Sequence, residues 1–239
     1  MRNVLYKFIN MCLRMLYPQT CYYCGKINKT AICAVCQKKM IYVNEPRCKR
    51  CGKPVRYEEK EFCEDCRRER IFYEQGRSVW VHKDPVAWSV YQFKYHNRRV
   101  FGEFYASEMW RIHGNKISDW NIDTIVPVPL HWKRRLDRGY NQAEILAKHL
   151  GRFSKIPVQT KGMKRIRYTE RQKSLGHKER KKNLTGAFVV TKKWKKARNV
   201  LVVDDIYTTG NTINEISKIL RQEGVEKVFF LTISIGQGF

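Results

Sequence analysis

Eight of the nine cysteines form Cys-x-x-Cys pairs, and all of these pairs lie within the first 66 residues. The pairs are Cys21/Cys24, Cys33/Cys36, Cys48/Cys51 and Cys63/Cys66. Each pair places two thiolates on one side of a tight turn, so two pairs complete a tetrahedral metal site, and the segment is predicted to bind about two zinc ions. Closed four-cysteine sites leave no position for a substrate water. The zinc ions are therefore predicted to be structural, stabilising a segment too short to build its own core.

Disulfides and redox-active dithiols are the alternatives to zinc. The first residues lack the unbroken apolar centre and cleavage site of a signal peptide, which argues against an oxidising compartment. A redox-active pair usually occurs once, beside a βαβ unit. Pairing of neighbouring Cys-x-x-Cys turns gives the shortest loops, while an interleaved arrangement stays open. Gly25 and Gly52 each follow a pair and are predicted to adopt positive φ. Cys12 lies outside the pattern and is predicted to be a buried apolar residue.

The segment before the first pair has apolar residues at helical spacing between Val4 and Leu16. This periodicity predicts an amphipathic helix that packs on the protein's own core, with docking to a membrane surface or a partner as the alternative. No stretch approaches the roughly 20 apolar residues that a spanning helix needs, so no membrane span is predicted. We predict a cytoplasmic location, with peripheral attachment at the inner face of the membrane as its variant.

Beyond residue 70 the cysteines end and apolar strands alternate with amphipathic helices. We predict two domains: an N-terminal helix with a double zinc-ribbon module at 1–70, and an α/β domain at 71–239. The predicted strands are 122–129, 199–203 and 228–233; the predicted helices are 101–112, 141–150, which Gly151 stops, and a stripe from Ile213 to Gly224. Strand, helix and strand of these lengths form βαβ units, so the fold class is α/β, with a parallel sheet flanked by helices.

Two carboxylates, Asp204 and Asp205, follow a buried strand and precede a helix. A loop in this position offers unpaired backbone N–H groups and the positive end of a helix dipole, which together hold a phosphate. Its hydroxyl groups add donors, and Gly210 allows the backbone to approach the anion closely. The paired carboxylates can accept hydrogen bonds from the two hydroxyls of a ribose whose 5-phosphate lies in the loop. No Walker A sequence is present, which disfavours a nucleotide hydrolase of that kind.

Residues 202–212 closely resemble the phosphoribosyl-pyrophosphate (PRPP) loop of type I phosphoribosyltransferases. Together with the segments 127–130 and 138–143 and the cysteine pairs, nearly the whole chain resembles the ComF family of competence proteins. The resemblance implies a phosphoribosyltransferase-like sheet in which Asp204 and Asp205 bind the ribose hydroxyls. It implies that the 5-phosphate is held by Thr208, Thr209, Gly210, Asn211 and Thr212. It also implies that pyrophosphate, bridged to the ribose by Mg²⁺, faces Val128, Pro129 and Leu130.

A strongly basic stretch, 161–182, contains ten Lys or Arg and two Glu. This density predicts a mobile loop or hairpin that orders around phosphates, with an exposed linker as the alternative. The resemblance implies that the stretch is the family's flexible loop, which closes over the reacting centre, with Arg167 joining Asp204 and Asp205 as a catalytic residue. The other positions that match this loop are Arg165, Thr169, Gln172, Arg180 and Asn183.

The formal net charge is +26, and aromatic residues stand beside basic ones. Rings that stack on bases and cations that contact phosphates bind single-stranded DNA without sequence preference, although the rings can equally be core residues. The candidate DNA contacts are Lys94, Arg98, Arg99, Arg134, Arg135 and Arg138. The resemblance implies DNA uptake in natural transformation on the cytoplasmic side of the membrane, with a helicase as partner.

Two other functions are alternatives to DNA uptake. A catalytically active phosphoribosyltransferase needs a pocket for an acceptor, but only residues 234–239 follow the last predicted strand and no hood over the site is apparent, so the acceptor stays unidentified. A zinc-ribbon adaptor with a degenerate enzyme domain would be expected to have lost the acidic pair. The presence of Asp204 and Asp205 disfavours this adaptor.

Overall fold

The computed structural model describes residues 19–57, 59–168 and 184–237. The predicted N-terminal helix with Cys12 lies outside these residues, as do the flexible-loop positions Thr169, Gln172, Arg180 and Asn183. In chain order the helices are α1 Ala34–Lys39, α2 Glu64–Arg68, α3 Val86–Tyr95, α4 Phe101–Asp119, α5 Trp132–Arg138, α6 Gln142–Ser154 and α7 Asn211–Gln222. The strands are β1 Gln75–Val81, β2 Thr124–Pro127, β3 Met163–Arg165, β4 Phe188–Val190, β5 Asn199–Tyr207 and β6 Lys227–Ile235.

A four-stranded parallel sheet with the order β1-β6-β5-β2 forms the centre of the α/β part. The two inner strands, β5 and β6, are almost completely buried, which explains their continuous apolar sequences. The predicted α/β class with a parallel sheet flanked by helices is confirmed. The carboxyl ends of β2 and β5 lie side by side because Pro127 pairs with Val203. The predicted pyrophosphate and ribose segments therefore leave the sheet next to each other.

The predicted elements of the α/β part are confirmed in type, but one helix end is wrong. Gly151 does not stop helix α6, which continues to Ser154 and ends where Lys155 adopts a φ of +62°. A Cβ atom at position 151 would lie 2.4 Å from Val158 Cγ2. The glycine is therefore needed for close packing of the helix on the following segment. Helix α4 is also longer than predicted and ends at Asp119.

The basic stretch begins as one arm of an antiparallel hairpin. Strand β3 pairs with β4, and Arg165 lies opposite Phe188 in this pairing. The hairpin continues just beyond β3, where Ile166 N donates to the carbonyl of Ala187 at 2.8 Å. The residues that begin the basic stretch therefore form the base of a hairpin, as predicted, and they are not an exposed linker.

The cysteine-rich segment packs directly on the α/β part. Near the first two cysteine pairs, Tyr22 stacks on Phe101 of α4 with ring centroids 4.1 Å apart. Near the third pair, Gly76 N in β1 donates to the carbonyl of Arg50 at 2.7 Å. The division at residue 70 stays a prediction. Within the part of the chain that the structure describes, no helix has the length and apolar character required to cross a membrane.

Candidate functional site

The cysteines form two separate clusters, each built from two neighbouring pairs. The first contains Cys21, Cys24, Cys33 and Cys36, and the second contains Cys48, Cys51, Cys63 and Cys66. Within each cluster the sulfur atoms lie within 4.8 Å of one another. Tetrahedral coordination with Zn–S bonds of about 2.3 Å places sulfurs about 3.8 Å apart. The Sγ–Sγ distances of 3.9 Å for Cys24–Cys33 and 3.5 Å for Cys51–Cys63 fit this geometry, so the sequential arrangement is confirmed and both clusters fit zinc.

Backbone N–H groups point toward the sulfur atoms, as expected for metal thiolates. Cys33 N donates to Cys21 Sγ at 3.3 Å, and Cys36 N donates to Cys33 Sγ at 3.4 Å. The bond from the Cys36 N–H lowers the pKa of the Cys33 thiol to about 7, which favours the thiolate that binds zinc. Gly25 and Gly52 have φ values of +73° and +78°, as predicted for these turns.

The acidic pair lies at the carboxyl end of β5. Asp205 is buried, Asp204 is half-buried, and the Asp205 N–H donates to Asp204 Oδ1 at 2.9 Å. On the neighbouring strand β2, Pro127 pairs with Val203, so Val128 follows beside Asp204. Asn141 holds this segment in place because its Nδ2 donates to the Val128 carbonyl at 3.0 Å. Pro129 and Leu130 continue from Val128 and are half-buried.

The turn after the acidic pair, Thr208–Thr212, ends in the first turn of α7. Gly210 is the N-cap of α7 with a φ of +80°, and among the described residues no side chain caps the helix there. The first N–H groups of α7 therefore remain available for an anion. Asn211 Nδ2 is buried and has no hydrogen-bond partner among the described residues. A ligand with oxygen acceptors would satisfy this donor, because buried polar groups are usually paired.

Lys94, predicted to contact DNA, lies instead on the acidic pair. Its Nζ is 2.9 Å from Asp205 Oδ1, and the two side chains are only 19% and 9% exposed. The last turn of α3 thus brings a cation to the carboxylates. A ribose hydroxyl that bonds to Asp205 must share this carboxylate with the ammonium group or displace it.

Burial and, to a smaller extent, the negative charge of Asp205 together raise the pKa of Asp204 to about 7, against the opposing charge of Lys94. A folded-state pKa above the unfolded value of about 3.9 means that this group favours folding most at low pH. Its contribution is lost as the pH rises through the folded-state pKa near 7. The ionised form of Asp204 therefore lowers the stability of the folded protein. Such perturbed groups are common at functional sites.

We expect Asp204→Asn to raise the melting temperature of the ligand-free protein more at pH 8 than at pH 5, because asparagine never carries the buried charge. Asn Oδ1 can still accept the bond from the Asp205 N–H. Thermal unfolding of both proteins across this pH range measures the effect, and Asp119→Asn on the exposed end of α4 is the control. A stabilisation that does not change with pH would contradict the raised pKa.

A groove of about 500 Å³ lies between the end of α3, helix α5 and Tyr168. Its lining includes Tyr95, Asn97, Arg99, Arg134, Leu136, Asp137, Arg138, Gly139 and Tyr168. Arginine planes lie over tyrosine rings: Arg138 is 4.7 Å from the Tyr95 centroid and Arg134 is 5.6 Å from that of Tyr168. Tyr95, Trp132 and Tyr168 are exposed, whereas Phe93 and Tyr140 are core residues.

Three of the six candidate DNA contacts line this groove, namely Arg99, Arg134 and Arg138. Arg98 is exposed beside it. Arg135 Nη1 lies 3.1 Å from Glu144 Oε2. Arg167 is exposed on the hairpin and donates from Nη1 to the Thr185 carbonyl at 2.9 Å, a contact within the hairpin and not with the acidic pair. Arg165 is the hairpin residue whose charge interacts with the acidic pair. Burial lowers the pKa of Arg165 to about 10, and the negative charge of Asp204 acts against this shift.

Gln142 links the groove to the acidic pair, a role that sequence reasoning missed. Its Nε2 donates to the Lys94 carbonyl at 3.2 Å, and its Oε1 accepts from Arg138 Nη1 at 3.0 Å. Arg138 Nη2 also donates to Tyr95 Oη at 3.1 Å. The only sequence signal for this residue was its place in the segment 138–143, which carried the family resemblance.

Comparisons with known proteins agree with this geometry. Residues 12–67 match the family described as double zinc ribbon domain, and residues 106–234 match the phosphoribosyl transferase domain. The chain is 33% identical over 211 residues to Competence protein F of Haemophilus influenzae, covering 84% of this chain and 89% of the relative. It is 27% identical over 221 residues to DNA utilization protein YhgH of Escherichia coli K12, covering 88% and 94%.

A third relative is Competence protein ComFC of Bacillus subtilis, 26% identical over 199 residues, which cover 81% of this chain and 79% of the relative. The zinc-ribbon match agrees with the two cysteine clusters, and the phosphoribosyl transferase match agrees with the parallel sheet. The relatives align with the chain over most of their length. The chain therefore belongs to the ComF family, in which a double zinc ribbon precedes a phosphoribosyltransferase domain.

Proposed function

We propose that this protein binds PRPP with Mg²⁺ at the turn after β5 and single-stranded DNA in the groove between α3 and α5, and that it acts in DNA uptake during natural transformation. The observation that carries the proposal is the pairing of Asp204 and Asp205 with an open helix N-terminus that contains the unpartnered Asn211 amide. The names of the relatives, competence and DNA utilization proteins, support the cellular role. A cytoplasmic location and a helicase partner are parts of the same proposal.

In this proposal the 5-phosphate accepts hydrogen bonds from the N–H groups and hydroxyls of Thr208–Thr212, and the dipole of α7 favours its negative charge. Asp204 and Asp205 accept hydrogen bonds from the vicinal ribose hydroxyls. Mg²⁺, held between the ribose and the pyrophosphate, would neutralise charge beside Val128–Leu130. The half-buried setting of Asp204 supports strong ligand bonds, because a low-dielectric site strengthens them.

The groove supports DNA binding because rings and guanidinium groups alternate along it. Tyr95 and Tyr168 can stack on bases, while Arg99, Arg134 and Arg138 can contact phosphates. Because Gln142 connects Arg138 to Lys94, which pairs with Asp205, we expect a nucleotide strand and PRPP to occupy neighbouring positions. Whether the two ligands compete is measured by adding PRPP and DNA separately and together to the purified protein. Absence of binding by PRPP with Mg²⁺ at millimolar concentration would overturn the ligand assignment.

DNA affinity is expected to fall steeply with salt, because bound phosphates release counterions with a slope of about −0.7 per contact for a single strand. The triple variant Arg99→Ala/Arg134→Ala/Arg138→Ala should weaken binding by at least about tenfold and flatten the slope by about two units if all three contact phosphates. Fluorescence anisotropy with an oligothymidine at several salt concentrations measures both quantities.

The matched control is Lys192→Ala/Lys195→Ala/Lys196→Ala, which removes three exposed positive charges from the connection before β5, at the opposite end of the sheet. This control should bind DNA nearly as well as the wild type. Equal losses in both triple variants would show that overall charge, and not the groove, determines binding.

A catalytically active phosphoribosyltransferase is the second candidate, favoured by the groove whose Arg138 is connected through Gln142 and Lys94 to the acidic pair. In this reaction an acceptor in the groove would attack C1 of the ribose and pyrophosphate would leave toward Val128–Leu130. The protein's contribution would be charge stabilisation and orientation. Release of pyrophosphate on mixing PRPP, Mg²⁺ and single-stranded DNA distinguishes turnover from binding.

A further inference from the structure

We propose that the second cysteine cluster positions the phosphate turn through Tyr73 and Tyr207, so that metal binding in this cluster and ligand binding at the turn support each other. The inference rests on the proposed function, because it takes the turn Thr208–Thr212 to be the phosphate site. It assigns Tyr73 and Tyr207 as positioning residues, a role that neither the family match nor the motif describes.

A buried line of contacts joins the cluster to the turn. Tyr73 Oη lies 3.7 Å from Cys66 Sγ and 2.7 Å from Tyr207 Oη. Both tyrosines are nearly fully buried, at 3% and 2% exposure. The Tyr207 ring stacks on Phe230 of β6 with centroids 4.6 Å apart, and the Tyr73 ring meets the same Phe230 edge-on at 5.0 Å. The packing leaves the two hydroxyl groups little freedom to separate.

The metal would determine the direction of these hydrogen bonds. A zinc-bound Cys66 is a thiolate, which can only accept a hydrogen bond. Tyr73 must then donate to Cys66 and accept from Tyr207. Loss of the metal would release the Cys66 sulfur from its fixed position, and the hydrogen bond that orients Tyr73 would weaken. A buried hydroxyl left without a partner is costly, so the two tyrosines respond to the state of the cluster.

Tyr207 supports the turn at Gly210. A Cβ atom at position 210 would lie only 2.3 Å from Tyr207 Oη, so the hydroxyl lies directly against the N-cap of α7. The positive φ of Gly210 and this contact both exclude a side chain. A shift of the Tyr207 ring would therefore move the backbone N–H groups that face the phosphate.

A second, independent link ties the same two regions together. Asn214, in the first turn of α7, accepts from Phe72 N at 2.8 Å through Oδ1 and donates to the Arg70 carbonyl at 2.9 Å through Nδ2. Residues 70–73 are the connection from α2, which carries Cys66, to β1. Lys53 adds a third contact, since it pairs with Asp65 and its Nζ lies 5.8 Å from the Tyr207 ring centroid.

The first cluster has a different setting. Its neighbour Tyr22 packs on Phe101 of α4, and the Tyr22 carbonyl accepts a hydrogen bond from Ser89 of α3. Tyr23, between Cys21 and Cys24, is buried with a hydroxyl that has no partner among the described residues. Tyr22 and Tyr23 thus contact α3, α4 and β1, and we expect the coupling to be specific to the second cluster.

Coupling between two sites is reciprocal, so PRPP with Mg²⁺ should slow the loss of zinc from the second cluster. The test treats the full chain with a zinc chelator and a thiol-alkylating reagent, and follows each cysteine by peptide mass spectrometry. In the wild type, PRPP with Mg²⁺ should slow alkylation of Cys48, Cys51, Cys63 and Cys66 at least about fivefold, while the first cluster is unchanged.

Tyr73→Phe removes the hydroxyl but keeps the ring on Phe230, and Tyr207→Phe breaks the same bond from the other side. Both variants should bind PRPP about five- to tenfold more weakly and lose the selective protection. Tyr23→Phe, which removes a buried hydroxyl beside the first cluster, is the matched control and should behave as the wild type. Zinc content and melting temperature establish that each variant is folded.

The outcomes separate the two proposals. If the wild type binds no PRPP, the proposed function fails and this inference fails with it. If PRPP binds but protects both clusters equally or neither, only the coupling is overturned. Wild-type affinity and wild-type protection in both Tyr73→Phe and Tyr207→Phe would also overturn it.

Discussion

Cys51→Ser is expected to abolish stable folding, the largest effect predicted for this protein. Cys48 and Cys51 are completely buried, and their cluster shares a hydrophobic core with Val81 of β1, Tyr207 of β5 and Phe230 of β6. A structural zinc site contributes about 10–16 kcal/mol in zinc-finger peptides, which equals or exceeds the net stability of about 5–15 kcal/mol of most proteins. Loss of one ligand would leave buried thiols in a poorly formed site. Soluble yield, zinc content and thermal unfolding measure the result.

Cys24→Ser is the matched control, since Cys24 is only half-buried and belongs to the first cluster. We expect this variant to lose about one zinc ion but to retain a cooperative unfolding transition from the rest of the chain. Cys51→Ser protein with the wild-type melting temperature and about two zinc ions would contradict the structural role of the second cluster.

The double variant Asp204→Asn/Asp205→Asn should lose the stabilisation that PRPP and Mg²⁺ give to the wild type. A ligand at 100 times its Kd adds about 2.7 kcal/mol of stability, or about 5–10 °C in melting temperature for a chain of this size. Without the carboxylates, the ribose hydroxyls and the metal lose their acceptors, and the shift should fall below about 1 °C. Because the double variant also loses the buried Lys94–Asp205 ion pair, its own melting temperature without ligand is the baseline for this shift.

Asp119→Asn/Glu223→Gln controls for the loss of two negative charges, because both residues are exposed, Asp119 at the end of α4 and Glu223 at the end of α7 opposite to the turn. Its thermal shift with PRPP should equal that of the wild type. A full shift in the Asp204/Asp205 double variant would mean that PRPP, if it binds, binds elsewhere on this basic protein.

The metal clusters and the turn were predictable because each depends on residues close in sequence. The spacing of the cysteine pairs predicted both clusters, and the shortest-loop argument favoured their sequential arrangement while the interleaved one stayed open. Likewise, a continuous apolar strand that ends in Asp204 and Asp205 and leads to a helix defines a phosphate turn before any tertiary contact is known. The uncapped N-terminus of α7 at Gly210 agrees with this prediction.

The contacts between distant segments were not predictable in this way. In the sequence, nothing distinguished Lys94 from the other cations of a basic, aromatic stretch. Only the tertiary structure brings Lys94 of α3 to Asp205 of β5. The meeting of Tyr73 with Tyr207 joins residues 134 positions apart. Gly151 resembled a helix stop, since nothing local shows that Val158 packs against it. The role of Arg167 depends on the segment beyond Tyr168, and it stays a prediction.

A crystal structure of the protein with PRPP and Mg²⁺ tests the central claim most directly. We predict density for the 5-phosphate on the N–H groups of Thr208–Thr212 and for the ribose hydroxyls on Asp204 and Asp205, with Lys94 moved away from or sharing its carboxylate. PRPP bound on another basic surface, with this turn empty and Lys94 still paired to Asp205, would contradict the claim.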